Sequence, residues 1–458
     1  LVIRFLKTPK QYLLGGFSFG LGYFGLTFIW IINPFLVDPQ KNIWLVPFAY
    51  PLFVSLLSLF WALAFYISRY FIRDEQQNSD KVLCLSIVFA TAELFRCFLF
   101  SGFPWAILSY AWLDTPVSVF VTWLGPYIFN SIIIITGFNL FYSSPVTSTL
   151  KVIFLFAALL GLQNKFLDSG FEEANEYLTV RLVQPNIKQR DKWKKENELN
   201  HMEILIDLSN ASPKPDLIVW PETAVYWLPE ENPEKLKVIA EQVKSPLIFG
   251  ALRFNRDTKK LFNAIFLIDR EGKIQSIYDK TFLVPFGEYL PLGGLLKYLN
   301  IFNNSYRSVD GFSSGTGLKL IEKSGFPIFL PLICYEALFS NEILGVVKEA
   351  RWILNITNDA WFGNGGGPKQ HLKIARMRAL ENNIPLIRVS NNGISAKISK
   401  NGKIEKYIAL NKREFLDVEL GLNVKTQSTY YTMIGKNVSS YFHLVLLLLT
   451  ILYYSIFK

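Results

Sequence analysis

The stretch "FPIFLPLICYEALF" (326–339) places a single thiol at the end of an apolar run. The run up to Ile333 is typical of a buried strand, and the residues after Cys334 are typical of the start of a helix. The carboxylate of Glu336 follows two residues after the thiol. A strand that ends in reactive groups predicts an α/β fold whose chemistry lies at the strand ends.

Two more polar residues end apolar runs of the same kind. Glu222 ends "LIVWPE" and Lys280 ends "IYDK". Because ligands collect at the carboxyl ends of strands in an open α/β sheet, we expect Glu222, Lys280 and Cys334 to share a site. Taken singly, each is more often a solvated charge or a buried filler cysteine. Together they form a set that can carry out acyl transfer.

Covalent acyl transfer needs a thiolate, a base and a group that stabilises negative charge. Free cysteine has a pKa of about 8.5 and glutamate one of about 4.3, so proton transfer between them is uphill unless the site closes the gap. Burial of the acid, a nearby ammonium and a helix N-terminus at Tyr335 would all help. Lys280 and the backbone N–H after Cys334 can stabilise an oxyanion.

Histidine does not offer a second base for the thiol. The chain has three histidines: His443 falls in an apolar block, His371 fits a structural position in a helix, and His201 is the third. A Cys–His pair is therefore not predicted.

The composition is that of a membrane protein with basic flanks. The chain has 458 residues, of which 51% are hydrophobic and 16% aromatic, and its net charge is +10. It has no zinc-spaced Cys/His cluster, Gly-rich phosphate loop or RNA-binding aromatic signature, so we predict no metal, no cofactor and no nucleic acid. Cys84 and Cys97 lie about 20 Å apart on one helix, too far for a disulfide.

Six apolar blocks approach the length of a membrane helix. Five lie in the first part of the chain and one closes it: 11–32, 43–67, 82–100, 116–142, 150–163 and 441–457. The fifth block is short and needs its flanks to span. Within the third block, Glu93 and Arg96 are spaced to form an ion pair, which is either structural or a lipid-headgroup contact.

The distribution of basic residues predicts the orientation. Lys and Arg are concentrated before the first block and in the second and fourth connections between blocks, called the even connections. These segments are therefore predicted to face the cytoplasm. Five crossings then place the soluble part on the outer side, and the sixth returns Lys458 to the cytoplasm. The chain starts with Leu, which leaves open a missing N-terminal piece or an unusual start codon.

Residues between the fifth and sixth blocks alternate strands and helices. We predict transmembrane helices over 1–165, a catalytic domain over 170–435 and a C-terminal transmembrane helix over 440–458. Apolar strands bounded by turns indicate sheets buried on both faces. The pattern includes a hairpin over 263–280 with "REGK" at its turn, and a helix over 368–383.

These features resemble the nitrilase superfamily and, within it, the apolipoprotein N-acyltransferase family. The matching motifs cover most of the chain: "SGFPW" (101–105), "QPNI…KW" (184–193), "VWPETA" (219–224), "FNAI" (262–265), "DKTFLVPFGEYLP" (279–291), "CYE" (334–336), "NDAWFG" (358–363) and "QHLKIARMRALENNIPLIRVSNNGISA" (370–396). The resemblance implies a multi-span helical membrane domain that carries an α/β nitrilase-like αββα sandwich. The family has further membrane helices before the first block, so one or two are expected to be missing here.

The resemblance also implies roles for individual residues. Glu222 is the base, Lys280 the oxyanion stabiliser and Cys334 the nucleophile. Supporting or substrate-binding roles, with packing alone as the alternative, fall on Glu288, Tyr335, Glu336, Asn263, Trp193 and Trp361. The two tryptophans match those of mobile loops over the active site.

The implied reaction is two-step acyl transfer in the bacterial cytoplasmic (inner) membrane, with the catalytic domain on the periplasmic side. Cys334 takes an acyl chain from a phospholipid, phosphatidylethanolamine being the expected donor. The thioester then acylates the amine of the S-diacylglyceryl-cysteine of an apolipoprotein. The enzyme is expected to act as a monomer. The apolar stretch 289–302 would dip into the lipid interface or pack on its own domain, and the basic run 188–197 would be a solvated face or contact headgroups.

Two other functions compete with this one. A membrane-tethered amidase or nitrilase would use the same residues with water in place of the amine. A non-enzymatic scaffold or transporter would carry a degenerate nitrilase domain, but the joint presence of Glu222, Lys280 and Cys334 argues against it.

Overall fold

The structure is a computed structural model, and its residues group into two compact units. It describes residues 6–72, 78–100, 102–142, 151, 176–291, 311–422 and 428–456. One unit comprises Leu1–Phe171, Gly365–Asn382 and Ser428–Lys458, and the other comprises Glu172–Asn364 and Asn383–Gln427.

The first unit is helical. Its first helix begins after Thr8, whose side chain accepts a hydrogen bond from the N–H of Gln11, with Pro9 at the first position. The α-helices are Pro9–Thr27, Pro39–Asn42, Val46–Phe71, Asn78–Phe98, Val121–Tyr142, Gly366–Asn382, Tyr430–Ile434 and Val438–Ile456. Short 3₁₀ segments run over Ile29–Leu36, Ile43–Leu45, Leu108–Trp112 and Pro116–Phe120.

Several of these helices match the apolar blocks. By length and hydropathy, Pro39–Phe71 and Pro116–Leu140 can cross a membrane, and the pair Pro9–Thr27 and Ile29–Leu36, bent by 51°, is a third candidate among the described residues. The block 82–100 forms most of helix Asn78–Phe98. That helix carries too many charged residues to count among the candidate membrane spans. The closing block lies in Val438–Ile456, whose apolar part is shorter than a full span. The block 150–163 lies outside the described residues, apart from residue 151.

The predicted Glu93–Arg96 pair is confirmed, and it is structural. Arg96 donates to both carboxylate oxygens of Glu93 at 2.8 and 2.9 Å, and both side chains are buried. Its remaining nitrogen donates to the backbone carbonyls of Phe103 and Trp105 at 2.9 and 3.1 Å. The pair therefore holds the segment that follows the third apolar block. The burial of Glu93 and Arg96 does not fit the alternative of a lipid-headgroup contact.

The second unit contains two six-stranded sheets. The strands are β1 Tyr177–Gln184, β2 Leu217–Val219, β3 Leu247–Asn255, β4 Lys260–Ile268, β5 Ile274–Asp279, β6 Ile321–Lys323, β7 Phe326–Ile333, β8 Trp352–Thr357, β9 Leu386–Ser390, β10 Ser395–Ile398, β11 Ile404–Ile408 and β12 Glu414–Gly421. The first sheet has the order β12-β1-β2-β3-β4-β5 and the second β11-β10-β9-β8-β7-β6. The predicted hairpin is confirmed as β4 and β5, with Asp269 and Lys273 closing its turn.

The two sheets bury their facing sides in one apolar core. This core combines residues of the first sheet, such as Val180 and Ile265, with residues of the second, such as Leu354 and Val389. The other face of the first sheet packs against helices Glu198–Asn210 and Pro233–Val243. A sheet covered on both faces explains why its central strands lack the apolar–polar alternation of a half-exposed strand.

Arg181 ties the edge of the first sheet to its neighbours. It lies opposite Asp417 in the antiparallel β1–β12 register and donates to both carboxylate oxygens, at 2.8 and 2.7 Å. The fully buried guanidinium also donates to the carbonyls of Ser209 and Pro213, at 2.8 and 2.6 Å. One side chain thus satisfies acceptors from three segments.

Arg181→Met should lower the free energy of unfolding by about 3 kcal/mol, because it leaves a partly buried carboxylate and two carbonyls without their donor. The thermal midpoint of the detergent-solubilised protein, followed by near-UV circular dichroism, measures the loss. Lys237→Met is the control, since the Lys237–Glu241 pair is exposed and spans 3.9 Å. Equal midpoints for the two variants would contradict the structural role of Arg181.

Candidate active site

Glu222 lies just beyond the end of β2, and its place depends on a glycine in the neighbouring strand. A Cβ atom at Gly250 in β3 would lie 2.6 Å from the Cα of Glu222 and 2.5 Å from the backbone nitrogen of Thr223. Only glycine allows the two backbones to approach so closely. Oε1 of Glu222 accepts a hydrogen bond from Asn263 at 2.7 Å. Within the part of the chain that the structure describes, Oε2 has no hydrogen-bond donor.

Lys280 follows β5 and is almost completely buried. Its ammonium lies 2.8 Å from Oε1 of Glu288 and 3.7 Å from Oε1 of Glu222. Asn263 in β4 donates to both carboxylates, with the Glu288 bond at 3.2 Å. Glu288 also accepts from the N–H of Val284 at 2.8 Å. The four predicted residues Glu222, Asn263, Lys280 and Glu288 therefore form one buried cluster.

Cys334 follows β7 in a strained backbone conformation. Its φ is 51°, in the left-handed region that non-glycine residues rarely adopt, and it is 7% exposed. Glu336 holds this corner. Its Oε1 accepts from the hydroxyl of Tyr278 at 2.7 Å and from the N–H of Thr281 at 2.6 Å, and its Oε2 accepts from the N–H of Ile333 at 2.7 Å.

The structure corrects the expectation that a helix begins directly after Cys334. Cys334–Leu338 is a single 3₁₀ segment of five residues, and a separate short helix, Ser340–Leu344, follows it. The Glu336 carboxylate accepts hydrogen bonds from the N–H of Ile333, just before the corner, and from N–H groups of a neighbouring loop. A macrodipole from a long helix is therefore not available to the thiol.

Cys334 lies in the electrostatic field of Glu222 and Lys280. Burial raises the pKa of the Cys334 thiol and Glu222 raises it further, whereas Lys280 lowers it. Burial would lower the pKa of Lys280, but Glu288 and Glu222 outweigh burial and hold that pKa above its usual range. The lysine is thus a permanent cation, and the resting cysteine is a thiol that needs a base to ionise.

Sequence reasoning missed Lys192. The basic run 188–197 was expected to be a solvated face or a headgroup contact, but Lys192 is 2% exposed and donates to the backbone carbonyl of Glu222 at 3.0 Å. Burial lowers the pKa of Lys192 to about 8, and the Glu222 carboxylate opposes this shift. One signal was present, because Lys192 precedes the tryptophan of the "QPNI…KW" motif.

A second missed group is a buried ion pair between Arg388 in the middle of β9 and Asp359, just beyond the end of β8. Arg388 donates to both oxygens of Asp359, at 3.0 and 2.8 Å, and both side chains are fully buried. Asp359 belongs to the "NDAWFG" motif, in which a role was predicted from the sequence only for Trp361. Gly393 is required beside it, because a Cβ there would lie 2.2 Å from Oδ2 of Asp359.

The remaining predicted residues lie around this cluster. Tyr335 is buried, and its ring meets that of Phe339 edge-on at 5.2 Å. Trp193 and Trp361 are 43% and 41% exposed, and Trp193 packs against Tyr226. Their role in mobile loops stays a prediction. The apolar stretch 289–302 lies outside the described residues from position 292 onward.

The second unit is of the carbon-nitrogen hydrolase class. The family model described as "Carbon-nitrogen hydrolase" matches residues 179–426, which contain both sheets apart from the first two residues of β1, and all three candidate catalytic residues. The yeast protein Nit3, a nitrilase-superfamily member from Saccharomyces cerevisiae, aligns with a TM-score of 0.41 at 19% identity over 54% of this chain and 91% of its own.

The comparisons for the helical unit identify a family within this class. Residues 1–139 match the "Apolipoprotein N-acyltransferase N-terminal domain". A protein of Brucella suis named apolipoprotein N-acyltransferase is 35% identical over 86% of this chain and 77% of its own length. One of the same name from Rhizobium etli is 33% identical over 92% and 84%. The chain belongs to the apolipoprotein N-acyltransferase family, and it is a membrane protein.

Glu336→Gln should destabilise the corner at Cys334. A carboxylate offers acceptors only, whereas an amide would turn its NH₂ group toward one of the present donors and leave that donor unpaired. We expect a loss of about 2–3 kcal/mol in the free energy of unfolding, measured by guanidinium denaturation in detergent with tryptophan fluorescence. Glu349→Gln, at an exposed position, is the matched control. Wild-type stability in Glu336→Gln would refute the role given to this carboxylate.

Proposed function

We propose that Glu222, Lys280 and Cys334 form the catalytic triad of a two-step acyl transfer that completes lipoprotein maturation. The observation that carries this proposal is the position of Lys280, a buried cation whose charge interacts with both Glu222 and the Cys334 thiol. A nucleophile, a base and a fixed positive charge in one buried cluster are the parts that covalent acyl transfer requires.

In the first step, Glu222 takes the proton of Cys334, and the thiolate attacks an ester carbonyl of a phospholipid. Lys280 supports the reaction at two points. Its charge stabilises the thiolate and then the oxyanion of the tetrahedral intermediate. Collapse of this intermediate releases a lysophospholipid, whose leaving oxygen takes the proton from Glu222, and leaves a thioester on Cys334.

In the second step, the free α-amino group of an S-diacylglyceryl-cysteine attacks the thioester. Glu222 accepts the proton that the amine loses, and returns it to the Cys334 sulfur as the amide forms. The base therefore has to be available in both steps. Glu288 lies closer to the ammonium of Lys280, at 2.8 Å against 3.7 Å for Glu222. The ion pair between Glu222 and Lys280 is therefore the weaker of the two.

Both substrates carry acyl chains, which favours a site attached to a membrane. Phosphatidylethanolamine is the proposed donor, a diacylglyceryl apolipoprotein the proposed acceptor, and the enzyme is proposed to work as a monomer. The basic residues at the N-terminus and in the even connections support a catalytic domain on the periplasmic side of the inner membrane. Six spans, including the block 150–163, are needed for this orientation.

The main alternative is a membrane-tethered amidase or nitrilase, in which water takes the place of the amine. The same triad serves both reactions, so the cluster does not distinguish them. The family match of residues 1–139 favours the lipid reaction, because the relatives that share this domain are named apolipoprotein N-acyltransferases.

Incubation of the purified protein with phosphatidylethanolamine should give one acyl adduct on Cys334, detected by mass spectrometry of the intact protein and its peptides. A diacylglyceryl peptide added next should remove the adduct and become N-acylated. Cys334→Ala should form no adduct. Glu222→Gln and Lys280→Met should fold and form it at least about a hundredfold more slowly, because each removes a group required in the transition state.

The same experiment separates the alternatives. Release of fatty acid without N-acyl peptide would support the hydrolase. An adduct on a residue other than Cys334, or N-acylation by Cys334→Ala, would refute the triad. Lys244→Met, at an exposed helix end, is the matched lysine control and should leave the rate unchanged.

A further inference from the structure

Thr357 is placed next to the nucleophile by the register of the second sheet. Strands β7 and β8 run parallel, and Ile333 pairs with Ile356. The residues that follow these two are Cys334, just beyond β7, and Thr357, the last residue of β8, so they lie at the same level of the sheet. Thr357 is fully buried, and hydrogen bonding by its side chain lowers the pKa of the Cys334 thiol. No motif in the sequence pointed to this threonine.

The hydroxyl of Thr357 has a second partner on its other side. It donates to Oδ1 of Asp359 at 3.1 Å. A hydroxyl has a single proton to donate, so while it donates to Asp359 it presents only lone pairs to the sulfur. That arrangement suits a thiol, which can donate its S–H, and does not suit a thiolate, which needs donors.

We propose that Thr357 is a further catalytic residue whose hydroxyl turns from Asp359 to the Cys334 sulfur when the thiol ionises. The inference rests on the proposed role of Cys334 as nucleophile. Glu222 takes the proton of the sulfur, and rotation about the Cβ–Oγ bond directs the Thr357 O–H toward the thiolate. The hydroxyl proton stays on Thr357 throughout. When the sulfur forms a bond to carbon and loses its charge, the hydroxyl returns to Asp359.

Asp359 can release this hydrogen bond because its charge is compensated elsewhere. Arg388 donates to both of its oxygens, at 3.0 and 2.8 Å, and the guanidinium also donates to Oδ1 of Asn355. The carboxylate therefore stays paired in both positions of the hydroxyl. Burial raises the pKa of the Cys334 thiol, and the Thr357 hydrogen bond acts against this rise. The hydroxyl thus adds a hydrogen-bond donor to the positive charge of Lys280, which also lowers this pKa.

Alkylation by iodoacetamide tests the proposal separately from acyl transfer, because it depends on the thiolate alone. The rate at Cys334 is measured by peptide mass spectrometry over a range of pH in the full-length, detergent-solubilised protein. Thr357→Val keeps the shape and removes the hydroxyl, so the rate near pH 7 should fall about tenfold to a hundredfold. The pH midpoint of alkylation should move upward. Thr357→Ser retains the hydroxyl and should stay within about threefold of the wild type.

Each result counts for or against the inference. A wild-type alkylation rate in Thr357→Val, or equal losses in the Val and Ser variants, overturns it. Labelling of the buried Cys84 and Cys97 in the same samples reports general opening of the protein. If Thr357→Val opens in this way, Thr357→Ala removes the hydroxyl without a branched side chain and takes its place. Normal alkylation of Cys334 in the wild type with no acyl adduct would instead refute the proposed function and, with it, the catalytic role of Thr357. A slower alkylation in Thr357→Val would then show only that the hydroxyl stabilises the thiolate.

Discussion

A lysine ammonium that is 1% exposed must be neutralised where it stands, and the site is arranged around that requirement. Glu288 lies 2.8 Å from the charge of Lys280, Glu222 lies 3.7 Å away, and the amide of Asn263 holds both carboxylates. One cation and two anions leave an excess negative charge beside the thiol. Lys192 donates to the backbone carbonyl of Glu222 and adds a second positive charge beside the cluster. The cluster therefore stays close to neutral, and in the proposed mechanism Glu222 remains available for proton transfer.

Cys334, the proposed nucleophile, has a strained backbone conformation, and hydrogen bonds hold that conformation in place. Cys334 has a φ of 51°, and the Glu336 carboxylate secures the corner by binding N–H groups before it and on a neighbouring loop. The same geometry replaces the helix that the sequence indicated with a short 3₁₀ segment. In the proposed mechanism, thiolate stabilisation therefore comes from local groups, namely Lys280 and the hydroxyl of Thr357.

Much of the fold was predictable because strand and helix patterns are local. The hairpin of β4 and β5, the helix Gly366–Asn382 and the strands that end before Glu222, Lys280 and Cys334 lie where the sequence indicated. The resemblance to a family added Asn263 and Glu288, which join the cluster. Lys192 and Thr357 were missed because the sequence does not show which side chains meet at the cluster, although the motif that contains Trp193 gave one signal for Lys192. Their burial depends on segments distant in the chain.

The sequence by itself determined the apolar blocks, the alternating strands and the reactive residue types at strand ends, because each of these follows from the order of side chains along one segment. Only the tertiary structure decided the distances within the cluster, the strain at Cys334 and the partners of Asp359. These depend on the register between strands, such as Ile333 opposite Ile356, and on glycines such as Gly250 that let two backbones approach. Such close contacts join residues far apart in the chain, and packing selects them when the whole domain folds.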